Sequence, residues 1–175
     1  MRLFMLVPLA ALAACGGEGE QKAKAPPRAQ ALQAGQWAST LEVINFRKTD
    51  EGPRARLNMP NGTRATGSAC LGGGEGARPP LELFVGPDFE SCRWADNFYM
   101  RNGRLVASGT CRRDGVGEVE MTISVDFTEG SYQGTAEMVT RLPTDGDVFI
   151  GARTEGRRTG DCAAGAEGGN QANGQ

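Results

Sequence analysis

The stretch EVEMTISVDF, residues 118–127, sets Val119, Met121, Ile123, Val125 and Phe127 on one side of an extended chain, with Glu118, Glu120, Thr122, Ser124 and Asp126 on the other. Side chains along a strand alternate with period two, so this strict apolar–polar alternation specifies a half-buried β-strand and excludes a helix. The same period runs outward into its neighbours. SYQGTAEMVT, residues 131–140, puts Tyr132, Gly134, Ala136 and Met138 on one face. DVFIGARTEGRR, residues 147–158, does so with Val148, Ile150, Ala152 and Thr154, and QWASTLEVINF, residues 36–46, with Trp37, Ser39, Leu41 and Val43. RATGSACL, residues 64–71, reads as a short strand, and CRWADNFYM and RLVASGTC flank Asn102-Gly103 as a hairpin.

Asn61-Gly62, Asn102-Gly103, Asp114-Gly115, Glu129-Gly130 and Asp145-Gly146 separate these runs. Most of these pairs are Asn-Gly or Asp-Gly, which supply the positive φ angles of tight hairpin turns. No window carries a helical stripe, and LELFV, after Pro79-Pro80, has room for one helical turn at most. The expected fold is all-β: an antiparallel meander of about seven or eight strands, forming a closed or partly open barrel so as to hide its edges.

At the N-terminus, MRLFMLVPLAALAAC has the form of an export signal: Arg2, then an apolar run from Leu3 to Ala14. The run is shorter than the ~20 residues a membrane-spanning helix needs. Its end, Leu12-Ala13-Ala14-Cys15, looks like the lipobox of bacterial lipoproteins. That resemblance implies cleavage after residue 14 and lipidation of Cys15. Gly16 in place of Asp implies sorting to the periplasmic face of the outer membrane. Several acyl chains, at ~0.8 kcal/mol per buried CH₂, would make such an anchor permanent. Residues 15–34 then read as the lipidated cysteine and a flexible polar tether, residues 35–162 as the β domain, and residues 163–175 as a disordered tail.

The chain has 19 basic and 21 acidic residues, a net charge of −2 and no histidine. The charges are mixed, without the basic stripe of a nucleic-acid binder. The missing histidine removes Ser-His and Cys-His nucleophile pairs, imidazole bases and histidine-ligated metals. With Cys15 assigned to lipid, Cys70, Cys92, Cys111 and Cys162 remain, an even set in an exported chain, which implies two disulfides. Three pairings are possible. A two-residue turn at Asn102-Gly103 would place Cys111 opposite Trp94 and diagonal to Cys92, and a one-residue bulge would shift the register toward bringing the two cysteines opposite. The expected pairs are therefore Cys92–Cys111 and Cys70–Cys162.

Gly35-Gln36-Trp37, Cys70-Leu71, the central Cys92 and Cys111, Ser131-Tyr132-Gln133-Gly134 and the terminal Gly156-Arg157-Arg158-Thr159-Gly160-Asp161-Cys162 together resemble the DUF3617 family of uncharacterised proteobacterial envelope proteins. The family has no established activity, so the resemblance implies a compartment and no mechanism. A weaker likeness joins Gly35-x-Trp37 on the first strand with an arginine on the last, as in the calycin or lipocalin-like barrels. It implies that Arg158, on the apolar parity of its strand, stacks on Trp37 and closes one end of the barrel.

The functional expectation is a non-catalytic module that binds a small apolar or envelope-derived molecule. Gly134, Ala136, Ala152 and Gly156 on the inner faces would leave room for it. The alternative is a protein-binding or inhibitory envelope lipoprotein, like the small lysozyme inhibitors, with PTDGD, residues 143–147, as a contact. An enclosed cavity favours the first reading and a filled interior the second. No phosphate loop, nucleophile elbow or paired acid motif is present, so neither an enzyme nor a cofactor is expected. Asp145 and Asp147 are the one pair that could hold a cation, but Thr-Asp-Gly-Asp reads more simply as a turn, and no metal site is expected.

Overall fold

A computed structural model describes residues 28–163, apart from 53, 74–76 and 145. Eight antiparallel strands form one curled sheet. They are β1 (Gly35–Lys48), β2 (Arg64–Leu71), β3 (Glu90–Trp94), β4 (Tyr99–Arg101), β5 (Arg104–Arg113), β6 (Gly117–Phe127), β7 (Ser131–Thr140) and β8 (Val148–Gly160). The order is β2-β1-β8-β7-β6-β5-β3, with β4 also on β5. The meander from β5 to β8 is sequential, and β1 inserts between β8 and β2. β2 and β3 end the sheet without pairing, so the barrel is partly open.

The alternation decides which face is buried. Val119, Met121, Ile123 and Val125 of β6 meet Leu41 and Val43 of β1 and Met138 and Ile150 of β7 and β8 in one core, each at most 2% exposed. The partners of Val119, Met121, Ile123 and Val125 on β7 are Thr140, Met138, Ala136 and Gly134, so the inner faces stay in phase across the ladder. A one-turn helix, α1 (Glu82–Val85), lies in the opening, where Leu81, Leu83, Phe84 and Val85 are buried. Pro79 and Pro80 lead the chain into this plug.

Both expected disulfides are present, with Cα separations of 5.6 Å for Cys70–Cys162 and 4.0 Å for Cys92–Cys111. The hairpin register differs from the expected one. Arg101 faces Arg104 across the two-residue turn, but Trp94 pairs with Gly109, not Cys111. The chain makes an excursion at Asp96-Asn97, held by two hydrogen bonds between Asn97 and Ser108. This excursion shifts the register by two residues, so that the ladder through Trp94–Gly109 and Arg93–Thr110 runs on to Cys92 and Cys111.

The domain also starts earlier than residue 35. Gly103 donates its N–H to Ala29 O (2.6 Å), Gln33 donates to Glu129 O (2.8 Å), and Ala29 and Leu32 pack on the core. Residues 28–34 therefore belong to the folded body, because the turns at that end of the sheet supply backbone partners for them. The segment 1–14, Cys15 and the stretch 164–175 lie outside the described residues. Among the described residues no helix is long and apolar enough to cross a membrane.

Candidate functional site: the tether end of the sheet and its outer channel

The segments Gly35–Trp37, Ser131–Gly134 and Gly156–Cys162 converge at one end of the sheet, on the adjacent strands β1, β8 and β7. Trp37 is fully buried and is the register partner of Arg158. Its indole Nε1–H donates to Gln33 O (3.0 Å), and its ring stacks on Tyr132 with centroids 6.1 Å apart. Tyr132 tilts against Phe84 of α1 at 4.8 Å and donates its hydroxyl to Leu83 O (2.6 Å). Burial pushes the Tyr132 hydroxyl's pKa well above that of an ordinary phenol. Thr154 Oγ1 itself is buried and closes no hydrogen bond.

Arg158 takes the inward parity and Arg157 the outward one, as the alternation requires. The expected stack on Trp37 does not form, because the indole already has Tyr132 as its neighbour. Instead Arg158 Nε donates to Ala34 O (2.7 Å), and the guanidinium pairs with Asp161. It packs onto the backbone of Gly35, where φ is +138° and a Cβ would run into the guanidinium. Only glycine suits both constraints. Arg158 thus fastens the incoming chain to the end of β8, and Cys70–Cys162 crosslinks β2 to the same end across the start of β1.

The small residues of the inner face do not enclose a chamber. The Tyr132 ring occupies the space where a Cβ on Gly156 would stand, and Gly134 admits the close approach of the Val125 backbone. Ala136 and Ala152 are buried in the core. A crevice of about 80 Å³, beside Leu32, Leu71 and Met100, opens at the surface between Ala31, Gly72, Gly73 and Arg78.

The larger concavities are open and on the outside, one of about 720 Å³ beside Arg28, Asn102, Gly103 and Glu129 and a second over the strands. A channel of about 680 Å³ crosses the strands on the convex face, between two rows of outward side chains. Thr40, Glu155, Gln133 and Asp126, register partners in turn, form one bank. Ala38, Arg157 and Ser131 form the other. The floor is the row Ser39, Gly156, Tyr132 and Phe127, seen from its backbone side. Glu155 and Arg157 are exposed on opposite banks, and neither forms an ion pair with a described residue. The channel can hold a polar chain by charge and hydrogen bonds.

Over this geometry, residues 32–162 match the family described as "Protein of unknown function (DUF3617)". The chain belongs to the DUF3617 family. Neither a curated protein nor a solved structure matches it.

At the opposite end of the DUF3617 domain lies a residue that sequence reasoning missed. Asp50 accepts the N–H groups of Gly146 (2.5 Å), Asp147 (2.7 Å) and Gly52 (3.1 Å). The Asp147 and Gly146 donors hold its carboxyl below the usual carboxylate range. Their distance in sequence hid this link. Asp147 Oδ1 caps the Leu142 N–H at 2.8 Å, so its side chain works as a turn element. Asp145 lies outside the described residues, and among those described no group of three or more Cys, Asp or Glu is placed to hold a metal.

Proposed function

We propose that this chain is a non-catalytic, protein-docking lipoprotein of the cell envelope, held by lipid at Cys15 on the periplasmic face of the outer membrane. The supporting observation is the filled interior. Trp37, Tyr132 and the α1 side chains fill the concave side where an apolar ligand would need room, and among the described residues the crevice beside Leu71, of about 80 Å³, is well below the ~300 Å³ of a small ligand pocket. The recognition surface is then the convex face, with its polar channel. Gly146 and Asp147 are tied down through Asp50 and would lose little entropy on contact.

The test has two arms. Native mass spectrometry of protein gently extracted from its membrane should give the lipidated chain without a second small molecule. A photoreactive residue in place of Gln133 should form discrete protein adducts in intact cells, and one in place of the inward Met138 should form none. A co-purifying apolar molecule in stoichiometric amount would return the small-ligand reading.

A further inference from the structure

The two edges of the sheet are built differently. β3 is five residues long and charged at Glu90 and Arg93, and a register shift interrupts it where Ser91 takes φ +48°. Short length, charge and a bulge are the devices that stop a sheet edge from pairing with another chain. β2 has none of them along its middle. Its eight residues pair with β1 in unbroken register, without proline.

The phase of the ladder tells which backbone groups of β2 are free. Val43 donates its N–H to Thr63 O (2.9 Å), so Val43, Leu41, Ser39 and Trp37 bond towards β2. On the other side, Arg158 donates to Gly130 O (2.9 Å), which leaves Arg157 and Glu155 to bond Ala38 and Thr40. The two phases agree. Ala65, Gly67 and Ala69 therefore bond back to β1, and the N–H and C=O groups of Arg64, Thr66 and Ser68 point out of the sheet. All three residues are exposed. The chain at Gly86-Pro87 passes beneath β2 on the concave side, near Ala65 and Gly67, and makes no backbone hydrogen bond to it. The ends of the strand are braced by Cys70–Cys162 and by the Glu42–Arg64 pair.

We propose that β2 is a docking edge, to which an extended segment of a partner protein adds as a further strand. This rests on the protein-docking reading and names how the partner is held. Backbone hydrogen bonds to Thr66 and Ser68 would supply affinity, and alternate side chains specificity. On the concave side the segment would meet Ala65, Gly67 and Ala69, which calls for small apolar residues. On the convex side it would meet Thr66 and Ser68, which calls for polar residues, while Arg64 is already paired with Glu42. A second copy of this chain is the weaker occupant. An eight-residue edge is about 27 Å long at ~3.3 Å per residue. A contact that long and one strand thick covers a few hundred Å² per partner, short of the ~800 Å² of a stable interface.

Amide hydrogen exchange of the full mature chain tests the premise. Thr66 and Ser68 should exchange at least ~100-fold faster than Ala65, Gly67 and Ala69. Nine-residue peptides selected from a displayed random library on the same protein should then slow exchange at Thr66 and Ser68. Thr66→Pro removes one outward N–H and leaves the ladder to β1 in place, so it should weaken those peptides at least ~10-fold. Slow exchange at Thr66 and Ser68 in the free monomer overturns the proposal, and this reading stands even if Thr66→Pro does not fold. Peptides that bind Thr66→Pro unchanged also overturn it. A concentration-dependent dimer that protects the same amides replaces the partner with a second copy. If adducts form at Gln133 while Thr66 and Ser68 stay unprotected in the adduct, protein docking survives and the edge does not.

Discussion

The two ends of the β1–β8 ribbon are fastened by different physics. At the tether end, Trp37, Tyr132 and Phe84 stack in the dry interior, Arg158 clamps the incoming backbone, and Cys70–Cys162 closes the seam. At the other end, the Asp50 carboxylate gathers N–H groups from a loop far along the chain. One end depends on burial and a covalent link, the other on a charge close to water. They should therefore respond to different insults, and in pH to opposite ones.

The largest expected difference comes from the crosslink. Replacing both Cys70 and Cys162 by alanine removes a link of sequence separation 92 and should cost about 4–5 kcal/mol by loop-closure entropy. Urea unfolding monitored by tryptophan fluorescence would measure it. Cys92–Cys111 is nearly inaccessible, whereas Cys70 and Cys162 are half-buried, so a mild thiol should reduce the second pair first. If the buried pair opens first, the contrast between rigid interior and accessible seam is misplaced.

Next is Tyr132. Its folded pKa is raised, so above the unfolded phenol's value of about 10 the unfolded chain loses a proton that the native state retains. Stability from this group is complete below that pH and should decline as pH rises beyond it. Tyr132→Phe should cost about 1–3 kcal/mol at neutral pH by stranding the Leu83 carbonyl, and it should flatten the alkaline decline. A decline of equal slope in the variant would remove Tyr132 as its source.

A smaller effect separates the paired arginines. Arg158→Lys loses the planar fork that reaches both Ala34 O and Asp161, and should cost about 1 kcal/mol. Arg157→Lys, on the outward parity, should leave the thermal midpoint unchanged. The reverse order would mean that β8 is out of register by one residue.

The smallest effect lies at the far end. The lowered pKa of Asp50 stabilises the fold above the unfolded carboxylate's value of about 3.8, and this contribution is lost as pH falls through the folded value. Asp50→Asn should abolish that acid sensitivity and speed amide exchange at Gly146 and Asp147, with little change in global unfolding at neutral pH. If exchange there is unaltered, the carboxylate does not hold the loop.

Much of this was legible in the residues themselves. The strands of β1, β2, β6, β7 and β8, their inward faces and the turn at Asn102-Gly103 follow from period two and from glycine's tolerance of positive φ, both of which act within a few residues. The cysteine pairs followed from an even count and a hairpin, although the hairpin's register needed the Asn97–Ser108 bonds to become visible.

Other features are set by groups far apart in sequence. Trp37 could be read as an anchor, but whether Arg158 or Tyr132 would cover its ring depended on which side chain reached it first in three dimensions. The glycines and alanines of the inner face suggested room, and the Tyr132 ring filled part of it. Asp50's bond to the Gly52 N–H is local, but its two shorter bonds come from the loop before β8 and left no mark near Asp50 in the sequence. Local alternation determined that this chain is a curled antiparallel sheet with one apolar face. Only tertiary packing decided that α1 would plug the opening, that the channel would lie outside, and that the outward groups of Thr66 and Ser68 would meet no backbone partner among the described residues, because volume and long-range hydrogen bonding are properties of the assembled chain.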